Sequence, residues 1–194
     1  MGKREITLET VKPFKVSGGI FTDEMLLLVD WCDRYMCKQF IEIGRRLGGS
    51  TRFLAMMAKR ARGKLVSIDG DVKYLEGIKD SLRQLELIDY VEFITAFSPW
   101  VPYDMSWVFD FLLIDGDHRF IPTLVDYQAF SYFVRKGGLI AFHDVHLEFT
   151  HRAMMRVAAE DALKLLDRRR SLQLWEKTIP WGRKRKQTLQ ELQG

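Results

Sequence analysis

The sequence predicts an α/β fold, a doubly wound, mostly parallel sheet with helices on both faces, and three observations point to it. The first is a set of short apolar runs without alternation, which read as strands buried on both faces. The second is the alternation of these runs with longer segments of helical character, the pattern of a parallel sheet joined by crossover helices. The third is where two of the runs stop. Asp110-Phe-Leu-Leu-Ile114-Asp115-Gly116-Asp117-His118 and Gly137-Gly138-Leu-Ile-Ala-Phe142-His143-Asp144-Val-His146 both end abruptly on carboxylates and imidazoles. Ligands of open α/β sheets bind beyond the carboxyl ends of the strands, so both segments deliver polar side chains to that edge. All four histidines, His118, His143, His146 and His151, fall in or just after these stretches.

In chain order, residues 1–21 read as an irregular lead-in broken at Gly18-Gly19. Thr22 can cap a helix over 23–36, with Asp23 and Glu24 in its positively polarised first turn. Strand Gln39–Ile43 is followed by a Met-, Leu- and Ala-rich helix over 50–61. Strand Lys64–Ile68 precedes a helix over 72–85, and a third strand covers 91–95. Phe109–Ile114 is the fourth strand, followed by a helix over 122–133. The fifth strand, 139–142, is entered through a Gly137-Gly138 turn. A helix over 152–167 and a strand over 172–178 complete the pattern.

With 194 residues, a single domain over 1–194 is the natural count. A hydrophobic share of 47% and a charged share of 29% describe an ordinary soluble globular protein. No apolar stretch approaches a membrane span, and the opening Met-Gly-Lys-Arg-Glu lacks the apolar region of a secretory signal, so a cytoplasmic location is expected. Cys32 and Cys37 lie five apart on one helix and read as buried, reduced thiols. The net charge of +4 is uneven: residues 151–194 hold 11 Lys/Arg against 5 Asp/Glu. The runs 168–170 and 183–186 supply the excess. They read as solvated ends of the domain, the second (183–194) as a flexible basic tail, with nucleic-acid binding as the alternative.

The segment after the first strand, Glu42-Ile-Gly44-Arg45-Arg46-Leu-Gly48-Gly49-Ser50-Thr51, is a glycine-bearing turn leading into a helix. Gly44 permits the tight turn, Gly48 and Gly49 allow close backbone approach to a ligand, and Ser50 or Thr51 can cap the helix. The second strand ends on Asp69, placed to accept hydrogen bonds from ribose hydroxyls. Together these features indicate a nucleoside-containing cofactor. The spacing departs from the G-x-G-x-x-G of a dinucleotide turn, which argues against NAD.

From Gly18 to Val145 the chain resembles the class I S-adenosylmethionine-dependent methyltransferases, which share a Rossmann-like fold. Within them it is most similar to the group whose strand motifs read D-x-x-x-I-D-G-D-H and G-G-x-I-x-F-H-D, alongside glycosyl and antibiotic O-methyltransferases and cephalosporin-hydroxylase-like proteins. The resemblance implies S-adenosylmethionine as cofactor. It assigns Glu42, Gly44 and Gly48 to the cofactor turn, Asp69 to the ribose, Phe97 or Ser98 to the adenine, and Asp115 to the meeting point of methionine end and acceptor. Gly49 and Ser50 complete the cofactor set. One position departs from the family pattern: Arg46 stands where the turn usually has a glycine.

Methyl transfer to a hydroxyl needs an acceptor held in line and a route for its proton. His118, three residues past Asp115, is a candidate base, with a structural role in the loop as the even alternative; Asp144 joins Asp115 and His118 as a candidate catalytic residue. Metal-dependent relatives place ligands where this chain has Asp115, His143 and Asp144. Two carboxylates suit Mg²⁺, whereas an imidazole suits Zn²⁺ or Fe²⁺, so a divalent ion is an open expectation and a metal-free site the preferred one. No D/N-P-P-Y motif follows the fourth strand and no Pro-Cys nucleophile exists, which excludes amino-methylating and cytosine-C5 chemistry. The expected acceptor is a small molecule such as a sugar or natural-product hydroxyl. A catalytically silent cofactor-binding protein and an enzyme acting on RNA or another polyanion remain as alternatives.

Overall fold

The structure is a computed structural model that describes residues 6–98 and 100–179. Its centre is a seven-stranded sheet in the order β3-β2-β1-β4-β5-β7-β6. Strands β1 (Gln39–Ile43), β2 (Lys64–Ile68), β3 (Val91–Ile94), β4 (Phe109–Ile114) and β5 (Val134–Phe142) are parallel; β7 (Leu172–Lys177) and β6 (Leu163–Arg169) close the far edge antiparallel. Strand order reverses between β1 and β4, so the ligand crevice of such a sheet is expected beyond their carboxyl ends.

The apolar runs lack alternation because both faces are covered. Phe40, Leu65, Phe111, Leu113 and Leu139 pack on one side with residues of α2 (Thr22–Arg34), α3 (Gly49–Ala61) and α4 (Leu75–Gln84). Their strand neighbours Ile41, Val66, Leu112, Ile114, Ile140 and Phe142 face the other side, against α5 (Phe120–Phe130) and α6 (Glu148–Glu160). Successive side chains on a strand point to opposite faces, so each face has its own apolar set. Asp110, the first residue of the D-x-x-x-I-D-G-D-H motif, works at the opposite end from the ligand edge. It accepts hydrogen bonds from the backbone amides of Lys38 and Gln39 and from Arg135 Nε, tying the starts of β1, β4 and β5 together.

Three expectations are corrected. The lead-in is not irregular throughout: a helical turn α1 (Leu8–Val11) and a 3-10 turn (Lys12–Phe14) bury Val11 and Phe14 against the first core layer. Gly137-Gly138 does not lead into β5 but lies within it, where pairing with β4 jumps from Phe109↔Val134 to Phe111↔Leu139 and Gly137 takes φ +74°. The helix expected over 152–167 ends at Glu160, and Leu163–Arg169 is a strand instead. Leu163 and Leu166 fit helical spacing as readily as a strand edge, and pairing along β7 decides between them. The two-residue hairpin turn contains Arg170 at φ +47°, with no glycine or asparagine to announce it. Trp181 and the run 183–186 lie outside the described residues. No helix among the described residues is long and apolar enough to cross a membrane.

Candidate active site

A cavity of about 560 Å³ opens at the carboxyl ends of β1, β2, β3 and β4. It has the size of a small-ligand site. The turn after β1 forms its floor. Gly44 has φ +91°, and a Cβ there would stand 2.2 Å from the Asp115 carbonyl oxygen, so only glycine lets the first turn pass this close to β4. The next two backbone amides, of Arg45 and Arg46, donate to Asp69 Oδ2 at 2.8 and 3.1 Å, and Asp71 N donates to Asp69 Oδ1 at 2.8 Å. Asp69 therefore shapes the turn while also lining the cavity.

Arg45 explains why this turn can carry two arginines. Its side chain runs inward, 3% exposed, and its guanidinium donates to the carbonyls of Ser67, Ile94 and Asp69 and to Thr95 Oγ1. It thereby satisfies the ends of β2 and β3 beneath the cavity. Nothing in the sequence distinguishes Arg45 from Arg46. Both border the cavity, but the Arg46 side chain stays at its rim, with φ +38° and its guanidinium beside Gly18.

Gly44, Gly49, Ser50, Asp69, Phe97, Ser98, Asp115 and His118 all border the cavity. Glu42 and Gly48 stand behind it. Glu42 is fully buried and accepts hydrogen bonds from Thr51 and Ser67, so it locks β1, β2 and α3 together; burial pushes its carboxyl up to about 7 against those hydrogen bonds. Gly48 faces α4, where a Cβ would stand 2.7 Å from the Ile78 side chain.

The chemical edge is assembled from β4 and β5. Asp115 follows β4, and Asp144 follows β5 with φ +52°. His118 Nε2 lies 3.4 Å from Asp144 Oδ2, and His146 Nδ1 lies 3.7 Å from Asp144 Oδ1. His151 is exposed on α6. Between the carboxylates and the core sits His143, 2% exposed. Its Nδ1 is 3.0 Å from Asp115 Oδ1 and 3.6 Å from Asp144 Oδ2; its Nε2 is 3.2 Å from Glu24 Oε2 and 3.1 Å from Ser171 Oγ. Burial works to lower its pKa, but hydrogen bonds to Asp115, Asp144 and Glu24 win, and the imidazole is pushed up to about 12. Burial raises Asp115 more than His143 lowers it, whereas His143 and its neighbours outweigh burial at Asp144 and hold that carboxyl low.

Both ring nitrogens of His143 are thus engaged by protein groups. One atom each of Asp115, His118 and Asp144 also converges, all within 4.8 Å of one another. Glu24 and Ser171, 147 residues apart, were not visible as site residues. Glu24 Oε1 accepts from both the backbone amide and the hydroxyl of Ser171, so the hairpin turn between β6 and β7 is sewn to the start of α2.

The sequence over residues 41–145 matches the model of a family described as a methyltransferase domain. A curated protein of Acanthamoeba polyphaga mimivirus, the uncharacterized protein R132, is 29% identical over 119 residues, which cover 54% of this chain and 50% of that protein. The chain thus spans about half the length of the curated relative it matches. Among solved structures, an O-methyltransferase of Bacillus cereus in complex with SAH superposes with a TM-score of 0.68 at 19% identity, covering 88% of this chain and 90% of that one. TomG of Streptomyces achromogenes, an O-methyltransferase of tomaymycin synthesis in complex with SAM, gives 0.69 at 17% identity with 89% of each chain covered. CalS11, a TDP-rhamnose 3'-O-methyltransferase, gives 0.63 at 16% identity over 90% of this chain and 93% of that one. At these identities the likeness is one of fold.

Proposed function

The chain belongs to the methyltransferase-domain family, and on that premise we propose that it transfers the methyl group of S-adenosylmethionine to a hydroxyl oxygen of a small molecule. The observation that carries this reading is one cavity bordered both by the glycine-built turn with Asp69 and by Asp115 with His118. Among solved structures of the same fold, the Bacillus cereus O-methyltransferase carries SAH, TomG of tomaymycin synthesis carries SAM, and CalS11 is a TDP-rhamnose 3'-O-methyltransferase. A sugar or natural-product hydroxyl is accordingly the acceptor class to test first.

Held by the first turn and Asp69, S-adenosylmethionine would supply an electrophilic methyl carbon to the acceptor oxygen, with the neutral thioether as leaving group. The hydroxyl proton passes to His118 Nδ1, while Asp144, 3.4 Å from Nε2, holds the proton on that second nitrogen and so orients the ring. The Asp115, His118 and Asp144 donors also fit a divalent ion; with one imidazole among two carboxylates they suit Zn²⁺ or Fe²⁺ better than Mg²⁺. Such an ion would acidify the acceptor hydroxyl. We favour the route without it, because the His143 imidazolium already supplies positive charge against both carboxylates. Thermal shift with S-adenosylhomocysteine and with NAD, followed by methyl transfer to a panel of sugar and phenolic acceptors with and without chelator, tests the reading. Stabilisation by NAD alone would sink it. Activity lost to chelator and restored by a divalent ion would overturn the metal-free route, and cofactor binding without turnover on any acceptor would favour a silent binding protein.

A further inference from the structure

The cavity holds a second polar pair that neither the turn nor the chemical edge uses. Asp126, on α5, borders the cavity although its residue is only 6% exposed. Its polar neighbour is the Ser98 hydroxyl, which lies close enough to favour the carboxylate but lacks the geometry of a hydrogen bond and is itself buried without a partner. Burial pushes the Asp126 carboxyl up to about 7, with Ser98 opposing and the charge of Asp117 adding to it. A buried hydroxyl left without a partner beside a buried carboxyl is costly unless something enters to satisfy them.

The surroundings specify the shape of that visitor. Gly116 has no Cβ, and one there would stand 2.8 Å from Asp126 Oδ2, so the carboxyl edge stays open to the cavity. A Cβ at Gly70 would stand 2.2 Å from the Phe97 ring, so that ring packs on bare backbone. Gly70, Phe97, Gly116, Asp126 and Asp69 border the same cavity, a lining suited to a flat ring attached to a ribose.

We propose that Asp126 and Ser98 read the Watson–Crick edge of the cofactor's adenine: an Asp126 carboxylate oxygen accepts the exocyclic N6–H, and Ser98 Oγ–H donates to N1. This rests on the adenosyl-cofactor reading above and deepens it by assigning base specificity to a residue on α5. Hypoxanthine places O6 where adenine has its amine, so the Asp126 contact turns repulsive, whereas Ser98 can turn its hydroxyl to accept from the N1 proton; discrimination therefore falls to Asp126.

The test is calorimetric titration at pH 8 of the wild type and Asp126→Asn with S-adenosylhomocysteine and S-inosylhomocysteine. The wild type should prefer the adenosyl compound by at least tenfold. Asn can offer its amide N–H to O6, so in the variant that preference should shrink to a few-fold, mainly through better binding of the inosyl compound. An unchanged ratio in a folded variant, or no preference in the wild type, overturns the assignment. Should the variant not fold, Ser98→Ala decides: it should weaken S-adenosylhomocysteine several-fold yet leave the 1-deazaadenosyl analogue, which lacks N1, unaffected. Equal losses for both ligands would overturn it. A wild type that binds neither adenosyl compound refutes the methyltransferase reading itself, and this inference with it.

Discussion

The two halves of the ligand edge are built by different means. Beyond β1 and β2 the structure is mostly backbone: Gly44 pressed against β4, amides of Arg45 and Arg46 on Asp69, and the Arg45 guanidinium capping strand-end carbonyls. Beyond β4 and β5 it is ionisable side chains: two carboxylates, an imidazolium between them, and Glu24 and Ser171 behind. The first half is rigid scaffold whose loss costs stability. The second is a charge cluster whose loss, on the proposed reaction, should cost turnover. Substitutions in the two halves should therefore separate folding from turnover.

The largest expected effect lies at the chemical edge. Asp144→Ala should lower turnover by roughly 10²–10⁴-fold, because it removes the partner that orients His118. Asp115→Ala should cost as much and also weaken S-adenosylhomocysteine, since Asp115 borders the cavity. Single-turnover rates and calorimetry on the two variants check this, and full activity in both would place the chemistry elsewhere.

The reverse behaviour is expected of Arg45→Met. Carbonyls of Ser67, Ile94 and Asp69 lose their donor, and with buried groups left unpaired at about 1–3 kcal/mol each, a total near ~3 kcal/mol of unfolding free energy should go. Arg46→Met next door should cost under about 0.5 kcal/mol. Urea titration of the pair reads the contrast directly, and equal midpoints would show that the buried arginine is dispensable.

A smaller effect concerns pH. Glu42 titrates near 7 when folded and near its ordinary value of 4.5 when unfolded, so the native state holds the proton more tightly. Its contribution is fully present below pH 4.5 and is lost as pH rises through about 7, at up to about 1.4 kcal/mol for each pH unit crossed between those limits. Glu42→Gln keeps an oxygen for Thr51 and Ser67 and should flatten that slope between pH 5 and 8. Asp126, also raised to about 7, should keep a slope of its own, so calorimetric melting across that range checks that the variant's slope is shallower than the wild type's; an equal slope would clear Glu42 of the effect. Smallest of all, Arg170→Ala removes an exposed pair with Asp23 and should leave the melting temperature close to that of the wild type, with any difference fading at high salt. A larger loss would mean that the hairpin turn leans on this pair.

The same contrast explains what could be read from the sequence. Strands Gln39–Ile43, Lys64–Ile68 and Phe109–Ile114 were legible to the residue because burial on both faces leaves an unbroken apolar run. The glycines of the first turn were legible because backbone geometry admits few other residues. The partners of the charge cluster were not. Glu24 reads as a helix-start acid and Ser171 as a turn residue until the fold brings them onto one imidazole. Nothing in the sequence shows that both His143 nitrogens find protein partners. The terminal hairpin was hidden because Leu163 and Leu166 satisfy a helix as well as a strand, and only β7 tells them apart.

The stitch between Glu24 and Ser171 has a consequence for how the protein is made. On a ribosome the chain emerges from its amino end, so α2 and the five parallel strands are out before the hairpin that carries Ser171. Until then Glu24 and His143 lack the hydroxyl and amide that complete their network, and the sheet presents β5 as an open edge where β7 will later pair. Stalled nascent chains ending before residue 163 should accordingly show a protease-sensitive β5, and chains extended past residue 179 should not. Translation itself then sets the order of assembly: the network around His143 closes only once the hairpin that carries Ser171 has emerged.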